Sequence, residues 1–288
     1  MLVTGATGFI GRHLVAGLAR NGVDLRPVGL ADADLRDPGE ALRLLDAVGP
    51  STVVNLARPT HAGDSDEGHA GHVEIAANLL AASHAAGVRR LIHLGSSTEY
   101  GSVDSPAGED APLRPTTLFG AAKAKASSLV LDADGEGIRT VVLRPFSVYG
   151  PGDLRRHLIP AAIEAALSGT SLPLAAGVER DWVFVRDVAE ACALALDGRA
   201  DGLTVNLASG ATIPNERVIE LVREATGREI AVSPDPLPAR PWDVGTAGTT
   251  ELARRSLRWR AGMALSEGIR ETVASHRLRP TEPEPVPR

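Results

Sequence analysis

The sequence has a single cysteine, Cys192, among its 288 residues. An internal disulfide is therefore excluded, and we expect the protein to occupy a reducing compartment. Because Cys192 lies within the helical pattern Val188–Leu196, we interpret it as a small core residue rather than as a nucleophile.

Long apolar runs and an excess of positive charge are also missing. No run approaches the ~20 apolar residues that a membrane span requires, and no segment has the pattern of a signal peptide. The formal net charge is -6 and the pI is about 5.8, so we expect no general attraction to nucleic acid or to an anionic membrane. These features predict a cytoplasmic protein.

Metal-binding motifs are absent as well, since the sequence has no HExxH pattern and no cysteine ligand set. Histidine and acidic residues do crowd one stretch: His61, Asp64, Asp66, Glu67, His69 and His72. Only His69 and His72 have helical i,i+3 spacing, and polar residues are normal in a loop that enters a helix. We therefore expect no metal site.

The sequence does contain a regular alternation of short apolar strands and helical stretches. This pattern predicts an α/β fold with a doubly wound parallel Rossmann sheet. The expected strands are Leu2–Thr4, Leu25–Leu30, Thr52–Leu56, Arg90–Gly95, Thr140–Leu143 and Thr204–Leu207, and the expected helices are Phe9–Asn21, Glu67–Ala86, Leu118–Asp134 and Asp187–Leu196.

The alternation becomes irregular after Gly150, where proline and glycine interrupt short elements. We predict a Rossmann domain over residues 1–150, to which residues 187–210 return. Residues 151–275 would form a smaller, discontinuous C-terminal substrate-binding lobe. The tail 276–288 is rich in proline and charge and is predicted to be disordered.

Three glycines, Gly5, Gly8 and Gly11, separate the first strand from the first helix. Gly5 permits a tight turn, Gly8 lets the backbone approach a pyrophosphate, and Gly11 allows the helix and the strand to pack closely. A pyrophosphate would then lie at the helix N-terminus, where N–H groups and the helix dipole favour an anion. The spacing predicts a dinucleotide site.

The cofactor is expected to be decided at the end of the second strand. NAD sites usually carry an acidic residue there, which binds the ribose 2′-OH, and no carboxylate stands near Gly29–Leu30. Asp34 and Asp37 are interpreted as the next strand and its turn. Arg12 or Arg26 would supply positive charge for a 2′-phosphate, so NADP(H) is favoured and NAD(H) is the alternative.

Further segments resemble a known family, the extended short-chain dehydrogenase/reductases, and within it the NAD-dependent epimerase/dehydratase group that acts on nucleotide sugars. The resemblance runs from residue 1 to about residue 275. Besides TGATGFIG, it rests on VVNLA (Val53–Ala57), HLGSSTEYG (His93–Gly101), LRPFSVYGPG (Leu143–Gly152), RDWVFVRDVAEA (Arg180–Ala191) and RPWDV (Arg240–Val244).

The resemblance implies a catalytic Ser or Thr and a Tyr-x-x-x-Lys motif, whose lysine holds the nicotinamide ribose and lowers the pKa of the tyrosine. Ser96 matches the Ser/Thr and Lys123 matches the lysine, but Phe119 stands at the tyrosine position. Residues four apart share a helical face. Phenylalanine transfers no proton, and loss of a positioned general acid costs ~10²–10⁴-fold in rate.

The resemblance also implies the other contacts of the site. The cofactor would contact Thr4, Gly5, Thr7, Gly8, Phe9, Ile10, Gly11, Arg12, Asp34 (beside the adenine), Leu35, Leu56, Ala57, Lys123 and Pro145. The substrate would contact Ser97, Ser147, His157, Arg180 and Arg240. The two arginines suit a diphosphate, although Arg180 has the alternative of pairing with Asp181 or Asp187, and His157 that of a surface histidine.

Three interpretations of the phenylalanine stay open. The first is a ketoreductase that takes its proton from Ser96, Thr98, Tyr100, His72 or an ordered water. The second is an epimerase or dehydratase, which must first oxidise an alcohol and so suffers more from the loss of tyrosine. The third is a cofactor-binding sensor or partner subunit without catalysis, against which the retained Ser96 and Lys123 argue.

The resemblance favours a nucleotide-sugar substrate, and among these a dTDP-linked 4-keto-6-deoxyhexose from deoxysugar biosynthesis. It also predicts a homodimer through a four-helix contact that involves the long helices Glu67–Ala86 and Leu118–Asp134. The alanine-rich faces of these helices permit close approach, but alanine also suits packing onto the sheet.

Overall fold

The structure, a computed structural model, describes residues 1–59, 66–101, 103, 106–153, 157–175, 177–233 and 245–278. Its strands are β1 (Leu2–Thr4), β2 (Arg26–Val28), β3 (Thr52–Asn55), β4 (Arg90–Leu94), β5 (Arg139–Pro145), β6 (Ser147–Tyr149), β7 (Glu179–Phe184), β8 (Thr204–Leu207) and β9 (Thr212–Pro214). Its α-helices are α1 (Phe9–Arg20), α2 (Pro38–Val48), α3 (Asp66–Ala85), α4 (Leu118–Asp132), α5 (Leu158–Ser168), α6 (Val185–Leu194), α7 (Asn215–Thr226) and α8 (Leu265–Arg277).

The larger sheet has six parallel strands in the order β2-β1-β3-β4-β5-β8. One core lies between this sheet and helices α1 and α6, and a second lies between the sheet and helices α2, α3 and α4. The predicted α/β class with a doubly wound parallel sheet is therefore confirmed. From β1 the chain adds β2 on one side and β3, β4 and β5 on the other. At such a switch point a ligand crevice is expected outside the carboxyl ends of β1 and β3.

Helix α2 begins directly after ADLRD, the stretch for which the sequence predicted a strand and its turn. The side chain of Asp37 accepts a hydrogen bond from Glu40 N at 2.8 Å, and Pro38 follows it at the first helical position. An aspartate cap followed by proline starts a helix, because the carboxylate binds a free N–H and proline fixes φ. The predicted strand is therefore wrong, since Asp34 lies in the turn that precedes α2 and Asp37 caps the helix.

A smaller sheet, in the order β6-β7-β9, packs with α5, α7 and α8 around a third core. Aromatic side chains fill it, with Tyr149 meeting the rings of both Trp182 and Phe184 edge-on. Between β7 and β9 the chain returns to the larger sheet through α6 and β8, which pairs with β5. The smaller sheet begins at Ser147, a few residues before the predicted change at 150.

Two further sequence predictions meet the structure here. Cys192 is fully buried on α6, and burial raises the pKa of its thiol to about 12, which fits a core residue. The disordered tail was predicted from residue 276, yet α8 continues through Arg277, whose guanidinium donates to Thr226 O on α7 at 2.8 Å. That start is therefore wrong, and residues 279–288 lie outside the described chain.

Within the described ranges, no helix combines the length and the apolar character of a membrane span.

Candidate active site

The glycine turn after β1 forms a cradle that admits only glycine at two positions. Gly5 has φ of +64°, and a Cβ there would lie 2.7 Å from Ala57 N. A Cβ on Gly11 would overlap the Gly5 carbonyl oxygen and lie 2.9 Å from Ala6 Cα. The turn leads into α1, whose first turn contains no acidic side chain and whose N-cap, Gly8, makes no side-chain hydrogen bond. This geometry fits the pyrophosphate of a dinucleotide.

Buried polar side chains tie together the carboxyl ends of β1, β3 and β4. Thr4 Oγ1 donates to Asn55 Oδ1 at 3.0 Å, and Ala57 N donates to the same oxygen at 3.1 Å. The amide nitrogen of Asn55 therefore donates to His93 Nδ1 at 3.0 Å, which assigns the histidine proton to Nε2. Sequence reasoning missed Asn55 and His93. Each is a polar residue near the end of a buried strand, and this pattern could have indicated them.

The end of β2 carries a carboxylate that the sequence prediction did not find. The Asp32 carboxylate accepts a hydrogen bond from Gly29 N at 2.8 Å, one residue beyond the last residue of β2. A shallow pocket of about 420 Å³ lies beside it and is lined by Leu30, Ala31, Asp32, Ala33, Glu40, Arg43 and Leu44. The premise that no carboxylate stands at this strand end is therefore wrong.

Arg12 and Arg26, which the sequence analysis suggested for binding a 2′-phosphate, have other surroundings in the structure. Arg26 begins β2, where it pairs with Leu2, and so lies at the edge opposite the glycine turn. Arg12 Nε donates to Gly8 O at 3.3 Å, and its guanidinium lies against Gly152. At neither position does the arginine stand beside Asp32 or the end of β2.

The remaining predicted adenine residues lie before α2. Asp34 binds the Arg36 guanidinium through both carboxylate oxygens, at 3.0 Å and 2.6 Å, and this hydrogen-bonded pair lowers the pKa of the Asp34 carboxyl. Leu35 is buried, and Asn78 on α3 donates to the backbone oxygens of Leu35 and Arg36. Helix α3 thereby fixes this turn. The other predicted cofactor residues cluster at the same sheet edge: Thr7, Phe9 and Ile10 at the start of α1, Leu56 after β3, and Pro145 at the end of β5.

Ser96 follows β4 and caps a short 3₁₀ turn over Ser97–Glu99. Its hydroxyl lies 2.8 Å from Thr98 Oγ1 and accepts a hydrogen bond from Thr98 N at 3.2 Å, while Ser96 N donates to Glu99 Oε1 at 2.8 Å. The structure therefore places the hydroxyls of Ser96 and Thr98 side by side at the carboxyl edge of the sheet. Ser97 lies half-buried in the same turn.

Beneath this turn lies a fully buried ion pair. Glu99 Oε2 accepts from Arg144 Nε at 2.7 Å, and Glu99 Oε1 also accepts from Ser127 on α4 at 2.8 Å. Tyr100 belongs to the same network, since its phenol donates to Asn206 Oδ1 at 2.6 Å and accepts from Arg144 at 3.1 Å. Burial raises the pKa of Tyr100. The proposal of Tyr100 as a proton donor is therefore withdrawn, because its hydroxyl is held in the core.

Phe119 and Lys123 lie one turn apart on α4. Lys123 is 6% exposed, and its ammonium donates to Leu94 O at the end of β4. Burial lowers the pKa of Lys123 to about 8 against the opposing effect of Glu99. Lys123 thus lies near the Ser96 turn, and its ammonium gives way to the neutral amine at about pH 8.

Two histidines of α3 surround the Phe119 ring. The centroids of His72 and Phe119 are 5.3 Å apart, those of His69 and Phe119 are 5.9 Å apart, and the two imidazoles stack. Burial, aided by Lys123 and His69, lowers the pKa of His72 to about 3. His72 is therefore a neutral imidazole at ordinary pH and offers an N–H group rather than an acidic imidazolium.

The predicted substrate residues are spread over the smaller sheet and its helices. Ser147 begins β6, exposed His157 is the N-cap of α5, and half-buried Arg180 lies on β7. The carboxylates proposed as partners of Arg180 bind backbone instead: Asp181 accepts from Ser209, Gly210 and Gly248 N–H groups, and Asp187 from Gly262 and Met263. Arg240 lies outside the described residues.

The metal prediction concerns the same side of the sheet. Across the described ranges, no three His, Cys, Asp or Glu side chains come together in a group that could hold a metal ion. His61 and Asp64 lie outside those ranges. His69 and His72 contact Phe119 through their rings.

Comparisons with known proteins extend over most of the chain. The model of the NAD dependent epimerase/dehydratase family matches residues 1–208. A dTDP-6-deoxy-L-talose 4-dehydrogenase (NAD(P)(+)) of Kitasatospora kifunensis is 31% identical over 93% of each chain. A UDP-glucose 4-epimerase of Corynebacterium glutamicum is 29% identical over 90% of each chain. The solved UDP-glucose 4-epimerase of Thermus thermophilus, in complex with NAD, is 30% identical, with a TM-score of 0.85 over 96% of this chain and 98% of that one.

Proposed function

We propose that this chain, which belongs to the NAD-dependent epimerase/dehydratase family, is an NAD(P)H-dependent reductase of a nucleotide-linked keto sugar. The substrate is an NDP-4-keto-6-deoxyhexose, with dTDP as the favoured nucleotide. One observation carries this proposal: Ser96 and Lys123 are present at one corner of the site, whereas Phe119 replaces the tyrosine there and supplies no phenol. Reduction needs one proton delivered once, whereas epimerisation needs a proton removed and then returned.

The Kitasatospora relative supports the substrate class. Its name describes a dehydrogenation at position 4 of a dTDP-linked 6-deoxy sugar, and a 4-keto reduction is the chemical reverse of such a step. The chain covers nearly all of that relative and shares its family. In this proposal the cofactor supplies the hydride when bound, Ser96 and Thr98 hydrogen-bond the keto oxygen, and Lys123 orients the cofactor ribose.

We propose NAD(H) as the cofactor, in place of the NADP(H) that the sequence favoured. Asp32 places a carboxylate at the end of β2, where it would bind a ribose 2′-OH and repel a 2′-phosphate. Arg12 and Arg26, which were to favour NADP(H), lie away from that strand end. NADP(H) stays the alternative, because Arg43 lines the pocket beside Asp32.

A UDP-sugar 4-epimerase is the second candidate, since the Corynebacterium and Thermus relatives are UDP-glucose 4-epimerases that match 90% and 96% of the chain. That reaction first oxidises an alcohol and needs a base at the sugar oxygen. A cofactor-binding sensor is the candidate of another class, and Phe119 is the observation that favours it.

The test measures NADH and NADPH oxidation with dTDP-4-keto-6-deoxyglucose for the wild type, Phe119→Tyr, Lys123→Met and Lys125→Met. Lys125 is exposed on the same helix and serves as the matched control. Turnover by the wild type and Lys125→Met, but not by Lys123→Met, is the expected result. Turnover by Phe119→Tyr alone would favour the sensor, and conversion of UDP-glucose to UDP-galactose would favour the epimerase.

A further inference from the structure

The proposed reduction requires a proton donor, and the structure narrows the choice. The Tyr100 phenol is held by Asn206 and Arg144 in the core. His72 is neutral at ordinary pH, and so it lacks the imidazolium proton. Ser96 and Thr98 are bonded to each other, and serine and threonine hydroxyls give up a proton only when another acid replaces it at once.

We propose that Lys123 itself is the general acid of this protein, delivering its ammonium proton to the keto oxygen of the substrate directly or across one water molecule. The inference rests on the proposed reductase function and extends it. Lys123 would then be a catalytic residue in its own right, rather than a group that lowers the pKa of a neighbouring phenol.

The position of Lys123 carries the argument. Its ammonium reaches across from α4 to Leu94 O, at the carboxyl end of β4, and Ser96 follows two residues later. On its own helix, Phe119 lies one turn earlier and carries no hydroxyl that could relay the proton of the ammonium. Of the three ammonium protons, one is donated to Leu94 O. The hydroxyl pair of Ser96 and Thr98 stands at the same strand end.

The charged and titratable groups around Lys123 come from four elements. His72 on α3 and His93 on β4 are both neutral imidazoles, since burial lowers their pKa values and Lys123 lowers them further. The negative charge of Glu99, in the 3₁₀ turn, raises the pKa of Lys123, but this carboxylate is already paired with Arg144 of β5. Within the described residues no carboxylate forms an ion pair with Lys123, so burial dominates and lowers the pKa of the ammonium to about 8.

The proton balance of the step is simple. A hydride from bound NAD(P)H forms the new C–H bond at the keto carbon, and the C=O π electrons take the proton from Lys123 to form the alcohol. The dinucleotide is oxidised, the keto sugar is reduced, and Lys123 is left as a neutral amine that solvent reprotonates. A general acid works best when its pKa lies near the working pH, and a pKa of about 8 meets that condition.

The sign of the pH dependence follows directly. The acid form of Lys123 is populated below about pH 8 and lost above it, so kcat for reduction falls as the pH rises through that value. In the reverse direction, alcohol oxidation needs the neutral amine as a base, so its kcat rises through the same value. A lysine that only holds the ribose would give no such opposed pair of profiles.

The decisive experiment is an NMR titration of the holoprotein labelled with 13Cε-lysine. The chain has only two lysines, Lys123 and Lys125, so the spectrum holds two signals, which Lys125→Arg assigns. We expect the Lys123 signal to titrate near pH 8, as its burial predicts, and to coincide with the falling limb of kcat. A Lys123 signal that titrates only above about pH 10, the range of an ordinary lysine, would overturn the acid role.

Two variants separate the acid role from ribose binding. Lys123→Arg keeps a cation but has no proton to give at the working pH, because arginine stays protonated up to about pH 12. It should bind NADH, lose ~10²–10⁴-fold in kcat and lose the limb near pH 8. Adding Phe119→Tyr to Lys123→Arg should restore much of kcat by supplying a phenol. A Lys123→Arg enzyme with the wild-type rate and limb would refute the proposal.

The outcomes also distinguish this inference from the proposed function. If neither the wild type nor Phe119→Tyr turns over a keto sugar, the reductase proposal fails and the acid role fails with it. If the wild type turns over while the Lys123 signal and the kcat limb disagree, only the acid role fails.

Discussion

The glycine cradle and the side-chain corner around Lys123 lie on the same edge of one sheet, but they are built differently. The cradle is made of backbone, with Gly5 and Gly11 so close to neighbouring main chain that any side chain would collide. The corner is made of side chains from distant segments: Ser96 after β4, Lys123 and Phe119 on α4, and His72 on α3. Backbone geometry is difficult to alter by substitution, whereas a side-chain corner changes its chemistry with one residue.

This difference explains how a family member can retain its cofactor turn and still differ at the reacting groups. The cradle is formed by main-chain atoms, which every residue has. A substitution therefore disrupts it when it replaces one of the two glycines. The corner depends on one hydroxyl, which Phe119 lacks, and on the electrostatic surroundings of Lys123. The following substitutions test that contrast, from the largest expected effect to the smallest.

Gly11→Ala should have the largest effect, because its Cβ would overlap the Gly5 carbonyl and force α1 away from the turn. We expect the Kd for NADH to rise by about 100-fold or more, since the pyrophosphate binds where the helix and turn meet. Gly17→Ala in the same helix is the control, because a Cβ there meets nothing within 4 Å. Titration of both variants with NADH by fluorescence checks the prediction, and equal affinities would contradict a steric cradle.

Glu99→Gln tests the support beneath the corner. The Glu99 and Arg144 side chains are 0% and 4% exposed, and loss of the carboxylate leaves the guanidinium buried without its partner. Breaking a buried pair in this way costs about 3–5 kcal/mol in the free energy of unfolding. It should also lower kcat, because Glu99 binds both Ser96 N and Ser127 on α4.

The matched control for Glu99→Gln is Glu271→Gln. It removes the partner of Arg186 at the surface, where both side chains are more than a third exposed. Exposed pairs contribute about 0–1 kcal/mol, so urea unfolding should separate the two variants clearly. Similar losses in both would mean that the Glu99 pair has no special place in the fold.

The contrast also explains what the sequence could predict. The strands and the glycine turn follow from local patterns, because burial and turn geometry constrain residues close in the chain, whereas Ser96 and Lys123 were assigned from the family resemblance. Tyr100 was misplaced because Arg144 and Asn206, which hold its phenol, are far away in sequence. The pairing of Asn55 with His93 likewise needs the register of two strands, which the sequence alone does not supply.

Asp32 was missed for a smaller reason, which concerns where a strand ends. The prediction carried β2 to Leu30, but β2 ends at Val28, and the chain turns back so that Asp32 binds Gly29 N. A shift of two residues at a strand end was enough to hide a carboxylate. The cofactor preference therefore depended on the residue at which β2 was taken to end.

Asp32→Ser should have the smallest of these effects, and it acts on cofactor choice alone. At about 4 Å in water, two unit charges interact by about 1 kcal/mol, so removing the carboxylate should raise the NADPH-to-NADH ratio of kcat/KM by about 5- to 10-fold. Asp24→Ser makes the same change of charge near the other end of β2 and should leave the ratio unchanged. An unchanged ratio in Asp32→Ser as well would place the 2′ position elsewhere, with Arg43 as the next residue to vary, because it lines the same pocket. Neither result bears on the cradle, since the close contacts at Gly5 and Gly11 are to main-chain atoms.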